Sequence, residues 1–159
     1  MVDTVTNYSG GEEPSIEANR TIKETEFIFA YMDKPLLLPQ VYVIEGLGQS
    51  INLLSILWNY ENIYGTIKNF SDAGLREVIK DQTSGDINNA IQRIGLLASV
   101  DITFEGVVEA GTLLSYSIHQ SKIHGMMSHF KVEAYVQDQQ IATGSMIGGK
   151  SPKLKNPYE

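Results

Sequence analysis

The chain has 159 residues, of which 42% are hydrophobic and 19% charged, a balance that suits a folded domain rather than a disordered one. It has no cysteine, which excludes a disulfide scaffold, a Cys-ligated zinc or iron–sulfur site and a thiol nucleophile. A formal net charge of −7 argues against a general nucleic-acid binder.

Residues 1–19 are polar and contain the run Gly10-Gly11-Glu12-Glu13-Pro14, so they read as a flexible N-terminal arm. They lack a basic start followed by an apolar run, so a cytoplasmic protein without a secretory signal is expected. From Arg20 to Tyr31 the pattern predicts a strand, with Phe27, Phe29 and Tyr31 on one face. Pro35 and Pro39 then interrupt regular structure and predict a constrained extended loop.

The strongest element follows. Residues 40–58 predict a single helix, opened by Pro39, with apolar side chains on most of its faces. Such a helix needs burial on nearly all sides. It is interrupted by Glu45, Gln49, Ser50, Asn52 and Ser55, which speaks against a membrane span. Gly46 and Gly48 each cost about 1 kcal/mol of helix propensity relative to Ala. Their presence predicts close backbone approach by something else.

Residues 65–94 are polar and predict a helical insert, SDAGLREVIK as a short helix with Ser71 as its N-cap and DINNAIQRIG as a candidate second one. From Leu96 the period changes to that of strands. Leu114, Tyr116 and Ile118 alternate with polar residues, as do Phe130, Val132, Ala134 and Val136, and Asp138 marks a hairpin turn. The expected fold class is α+β, an antiparallel sheet wrapped around one long central helix. The expected domain covers residues 20–148, with 149–159 as a flexible tail.

Several motifs resemble the hotdog-fold 3-hydroxyacyl-[acyl-carrier-protein] dehydratases of the FabZ/FabA type. In LPQVYVIEGLGQS, Pro39 matches the family proline, residues 41–44 its apolar run, Glu45 its helix acid and Gln49 its glutamine. Gly46 and Gly48 take two alanine positions. Phe104, Val108, Gly111 and Leu114 resemble a downstream family motif, and HFKVEAYVQDQQIATGSM its last hairpin. The resemblance implies a hotdog dimer whose sheets join edge to edge. It also implies an acyl tunnel at the dimer interface, lined here by Phe29 and Gln49. The substrate would be a thioester on the phosphopantetheine of acyl carrier protein, with no other cofactor or metal.

Dehydration needs a base for the Cα proton, an acid for the leaving hydroxyl and donors for the enolate oxygen. By resemblance, Glu45 is the acid, and the donors are backbone N–H groups at Gln40 and Val41. Desolvation on an apolar helix would favour its protonated form; a structural Glu with a buried partner is the other reading. The family's histidine falls on Tyr31, a poor base at neutral pH. Asp33 is either a substitute carboxylate or a solvated loop residue. His119, His124 and His129 read as surface or strand-edge residues. Arg93, Lys122, Lys131, Lys150, Lys153 and Lys155 are candidates for docking an acidic carrier. A chain with this acid and no usual base would complete its site by pairing with a histidine-bearing homologue. A homodimer, a non-catalytic carrier-binding subunit and an acyl thioesterase are the alternatives.

Overall fold

The computed structural model describes residues 2–65, 95–125 and 127–150. Among the described residues six strands, β1 (Thr4–Ser9), β2 (Ser15–Thr21), β3 (Gly95–Phe104), β4 (Leu113–His124), β5 (Met127–Val136) and β6 (Gln139–Lys150), pack against one helix, α1 (Gln40–Tyr64). They form one sheet in the order β1-β2-β4-β5-β6-β3, each pair antiparallel. This is the expected α+β architecture. The hairpin between β5 and β6 turns at Gln137 and Asp138, both at positive φ, as the strand pattern indicated.

One stripe of α1 faces the sheet: Val43, Leu47, Ile51, Leu54 and Leu57 recur at helical spacing and are all buried. They pack with Ile16 and Ala18 of β2, Leu114, Tyr116 and Ile118 of β4, Val132 and Ala134 of β5 and Met146 of β6. Each buried aliphatic side chain contributes about 1.5–3 kcal/mol, so this stripe holds the fold together. The helix is long and apolar enough to cross a membrane, yet its core stripe is spent on the sheet. The rest of the helix differs from expectation. Val41 and Ile56 remain exposed, because a single sheet covers only one face.

Residues 2–19 are not a loose arm. They carry β1 and most of β2, so the domain starts well before residue 20. The glycine pair belongs to the connection between these strands, with Gly11 at φ 93°. Trp58 Nε1 on the helix donates to Gly11 O at 3.0 Å, which docks the connection onto α1. At the other end, β6 runs on to Lys150, past the expected limit at 148. The expected insert from residue 66 to 94 and the expected tail from 151 lie outside the described residues.

The strand expected over 20–31 ends at Thr21. Glu26 reverses the chain there: it takes a hydrogen bond from Lys23 N at 3.0 Å and an ion pair from Arg20. Phe27–Phe29 is then a short 3₁₀ turn. Its geometry separates the three aromatics, leaving Phe27 and Tyr31 exposed while Phe29 enters the core.

Gly46 behaves as the sequence indicated and Gly48 does not. A Cβ at Gly46 would overlap the Tyr116 hydroxyl, whereas one at Gly48 would meet only Met146 Cε at 4.0 Å. Gly46→Ala should therefore lower stability by about 1–3 kcal/mol through overpacking. Gly48→Ala should raise it by up to about 1 kcal/mol through helix propensity. Urea unfolding of the two variants checks this, and equal effects would contradict the contact.

Candidate functional site

The start of α1 is fixed by the extended tract before it. Leu38 N donates to Val108 O at 2.8 Å and Ala110 N donates to Leu36 O at 2.9 Å, so residues 36–38 run antiparallel to 108–110. Pro39 follows as the N-cap, with φ −60° and ψ 138°, and offers no side-chain cap. The first turn has no acidic residue. The N–H groups at Gln40 and Val41 thus open the positive end of a 25-residue helix without a side-chain acceptor.

Glu45 stands in the second turn and is exposed within the single chain. Its own chain therefore does not desolvate it. Gln49, one turn on, donates from Nε2 to Glu45 Oε1 at 3.1 Å. Gln49 Oε1 accepts from the backbone of Val2 at 3.0 Å. Gln49 is thus a link between the N-terminal segment and the carboxylate, a partnership that the tunnel expectation did not include.

Beneath this turn lies a group that the sequence did not single out. Tyr116 on β4 is 1% exposed, and its hydroxyl makes no hydrogen bond of normal geometry, with the Arg20 guanidinium as its polar neighbour. Burial pushes its ionisation up to about 12, against the opposing pull of the Arg20 guanidinium and with some help from the charges of Asp3 and Glu45. Arg20 is itself buried and paired with Glu26. The clue was available: an inward-facing tyrosine on an apolar strand, opposite a helix with a glycine where helix propensity favours a larger residue.

The other expected residues are scattered. Tyr31 is 92% exposed and Asp33 is exposed on the same loop. No hydrogen bond or ion pair within the chain joins either to Glu45. Phe29, expected to line a tunnel, is 4% exposed and belongs to the core. His119 is exposed with Nε2 3.4 Å from Ser117 Oγ. His124 and His129 meet edge to face, ring centres 6.0 Å apart. Among the described residues no group of His, Asp and Glu side chains is placed to hold a metal ion. Lys131 is paired with Glu133 at 3.0 Å, which reduces its value to an acidic partner. A surface concavity of about 390 Å³, lined by Glu24, Lys34, Pro35, Leu36, Glu109 and Ala110, includes none of the expected site residues.

No family model and no curated protein sequence matches this chain. Solved structures do. The dehydratase heterocomplex ApeI:P from Xenorhabdus doucetiae aligns at a TM-score of 0.61 with 14% identity, covering 96% of this chain and 83% of that one. The putative thioesterase YhdA from Lactococcus lactis aligns at 0.58 with 5% identity, covering 93% of each chain. The fluoroacetyl-CoA thioesterase FlK, in a complex with acetyl-CoA, aligns at 0.58 with 7% identity, covering 88% of this chain and 87% of its own. Likeness at such low identity defines a fold, and the fold is the hotdog. Both dehydratases and thioesterases are built on it.

The buried hydroxyl of Tyr116 gives a pH test. The native state holds its proton to about pH 12, while the unfolded chain releases it near pH 10. Its contribution is therefore present below pH 10 and is lost as pH rises toward 12, by about 1.4 kcal/mol per pH unit. Tyr116→Phe should remove that loss. At neutral pH the same variant should differ from the parent by no more than about 1 kcal/mol, since the hydroxyl it removes has only the nearby Arg20 guanidinium and no bond of normal geometry. Urea unfolding of both proteins at pH 8 and at pH 11 measures this; parallel losses for the two would refute it.

Proposed function

We propose that this chain is a hotdog subunit acting on acyl thioesters, with Glu45 as its working carboxylate. The favoured reading is a FabZ-like dehydratase subunit for 3-hydroxyacyl thioesters of acyl carrier protein. The observation that carries it is the placement of Glu45. It lies in the second turn beyond an uncapped helix start, exposed within one chain and fixed on one oxygen by Gln49.

A second copy or a homologue laid against this end of α1 would supply what one chain lacks. It would desolvate Glu45, cover apolar side chains left exposed, such as Val41, and bring a base. In that assembly the N–H groups at Gln40 and Val41 stabilise charge developing on the thioester oxygen. Glu45 delivers a proton to the leaving hydroxyl. The Cα proton goes to the partner's histidine, because Tyr31 is a poor base at neutral pH and neither it nor Asp33 is bonded to Glu45 in this chain. Support for pairing between unlike chains comes from the ApeI:P structure, which is itself a heterocomplex.

A second reading is favoured by YhdA and FlK, both named as thioesterases. A carboxylate without a histidine suits the activation of water for hydrolysis. Cytoplasmic location and the absence of a metal or bound cofactor belong to the same proposal.

The test is to supply 3-hydroxyacyl carrier-protein thioesters to the chain alone and to the chain mixed with a histidine-bearing hotdog homologue. The chain alone should turn over little. The mixture should dehydrate the substrate, and Glu45→Gln should lower that rate by about 10²–10⁴-fold while size-exclusion chromatography shows assembly intact. Release of free acid by the chain alone, lost in Glu45→Gln, would establish the thioesterase instead. Carrier binding with neither reaction would leave a non-catalytic subunit.

A further inference from the structure

The segment before β1 reaches the candidate site. Val2 N donates to Gln49 Oε1 at 3.0 Å, across 47 residues of sequence. Its neighbour is pinned twice to β2: Asp3 N donates to Asn19 O at 2.8 Å, and Thr21 N donates to Asp3 Oδ2 at 2.8 Å. The Val2 side chain packs half-buried against the core. The donor is thus held by the sheet on one side and by the core on the other.

Donor and acceptor chemistry then sets a direction. A side-chain amide has two orientations, with the oxygen or the NH₂ toward a given neighbour. A backbone N–H can only donate. Once Val2 claims the oxygen of Gln49, the NH₂ group must face Glu45, where it stands 3.1 Å from Oε1. The reverse orientation would set a carbonyl against a carboxylate and an NH₂ against an N–H, two repulsive contacts.

We propose that the backbone N–H of Val2 is a positioning group for Glu45. By fixing the amide of Gln49, it ties down Oε1 of the carboxylate and leaves Oε2 to face the reacting partner. The inference rests on Glu45 being the working carboxylate, and it extends the site to the first residues of the fold.

Val2→Pro tests it, because proline lacks the N–H, while Val2→Ala keeps it. The first readout needs no activity. In nuclear magnetic resonance spectra of the uniformly ¹⁵N-labelled chain, the Gln49 side-chain NH₂ should show two separated, slowly exchanging protons in the parent and in Val2→Ala. In Val2→Pro the exchange should quicken by about threefold or more and the separation should shrink. The second readout is turnover in the paired assembly. Relative to Val2→Ala, Val2→Pro should lower kcat about tenfold, with KM changed less than about twofold. Gln49→Met should show the same loss, and combining it with Val2→Pro should add nothing, as for two links of one chain.

An unchanged Gln49 amide signal in Val2→Pro would overturn the proposal. So would a further loss in the double variant, which would mean that proline acts by disturbing the fold. Full turnover in Glu45→Gln would instead remove the functional reading, and the amide signal would still decide whether Val2 orients Gln49.

Discussion

The depth at which the central helix sits is set by one contact, the hydroxyl of Tyr116 against the bare Cα of Gly46. The helix can descend onto β4 there only because residue 46 has no Cβ. That descent carries Leu47 and Val43 into the core on the side facing the sheet. It turns Glu45, the residue before, to the outside. A larger residue at 46 would lift the first turns of the helix and with them the open N–H groups at its start. The buried hydroxyl makes no hydrogen bond of normal geometry, and such a group costs about 1–3 kcal/mol. The fold thus tolerates an unfavourable atom at the point where helix, sheet and candidate carboxylate are brought into register.

The far end of the helix is held in a different way. Tyr8 on β1 donates to Glu61 Oε2 at 2.7 Å, and burial together with that carboxylate keeps the phenol protonated well above its usual range. Trp58 reaches the connection between β1 and β2. The N-terminal segment and first hairpin therefore hold α1 at two levels, near its C-terminal end at Glu61 and Trp58 and, through Val2, at Gln49 in its N-terminal half. The aliphatic stripe between supplies burial but little direction, and these side-chain bonds fix where along its axis the helix rests.

The parts legible from the sequence were those with local causes. A proline start and dense apolar residues marked the helix, strict alternation at Leu114, Tyr116 and Ile118 marked β4, and Asp138 marked a turn. The first hairpin was obscured by its chemistry. The inward residues of β2 include small Ala18 and charged Arg20, so its alternation carries little hydrophobic contrast. The glycine and proline run that joins it to β1 has the composition of a loose segment. Phe27, Phe29 and Tyr31 showed a strand period, but the contacts made by Glu26 bend the chain before that period can be used. At the site, Glu45 and Gln49 share a face of one helix, so their pairing follows from spacing. Their distant partners, Val2 and Tyr116, depend on which strands meet the helix, and no local pattern contains that. The exposure of Glu45 lies still further out of reach, since it depends on what one chain leaves uncovered.

The sheet order has a consequence for how the molecule is made. β2 has β1 on one side and β4 on the other, with Ser15 opposite His119 and Thr21 opposite Leu113. During synthesis the first hairpin and the whole of α1 leave the ribosome long before β4 exists. Until about fifty more residues have followed, Val43, Leu47 and Leu54 have only the first hairpin to cover them, because non-local pairings of this kind form late. At roughly 5–20 residues per second, that is an interval of seconds or more in which an apolar helix is exposed. The β4–β5–β6 meander, made of neighbours in sequence, is synthesised last and completes the core. The apolar surface that waits longest for its cover is thus the helix stripe beside the carboxylate.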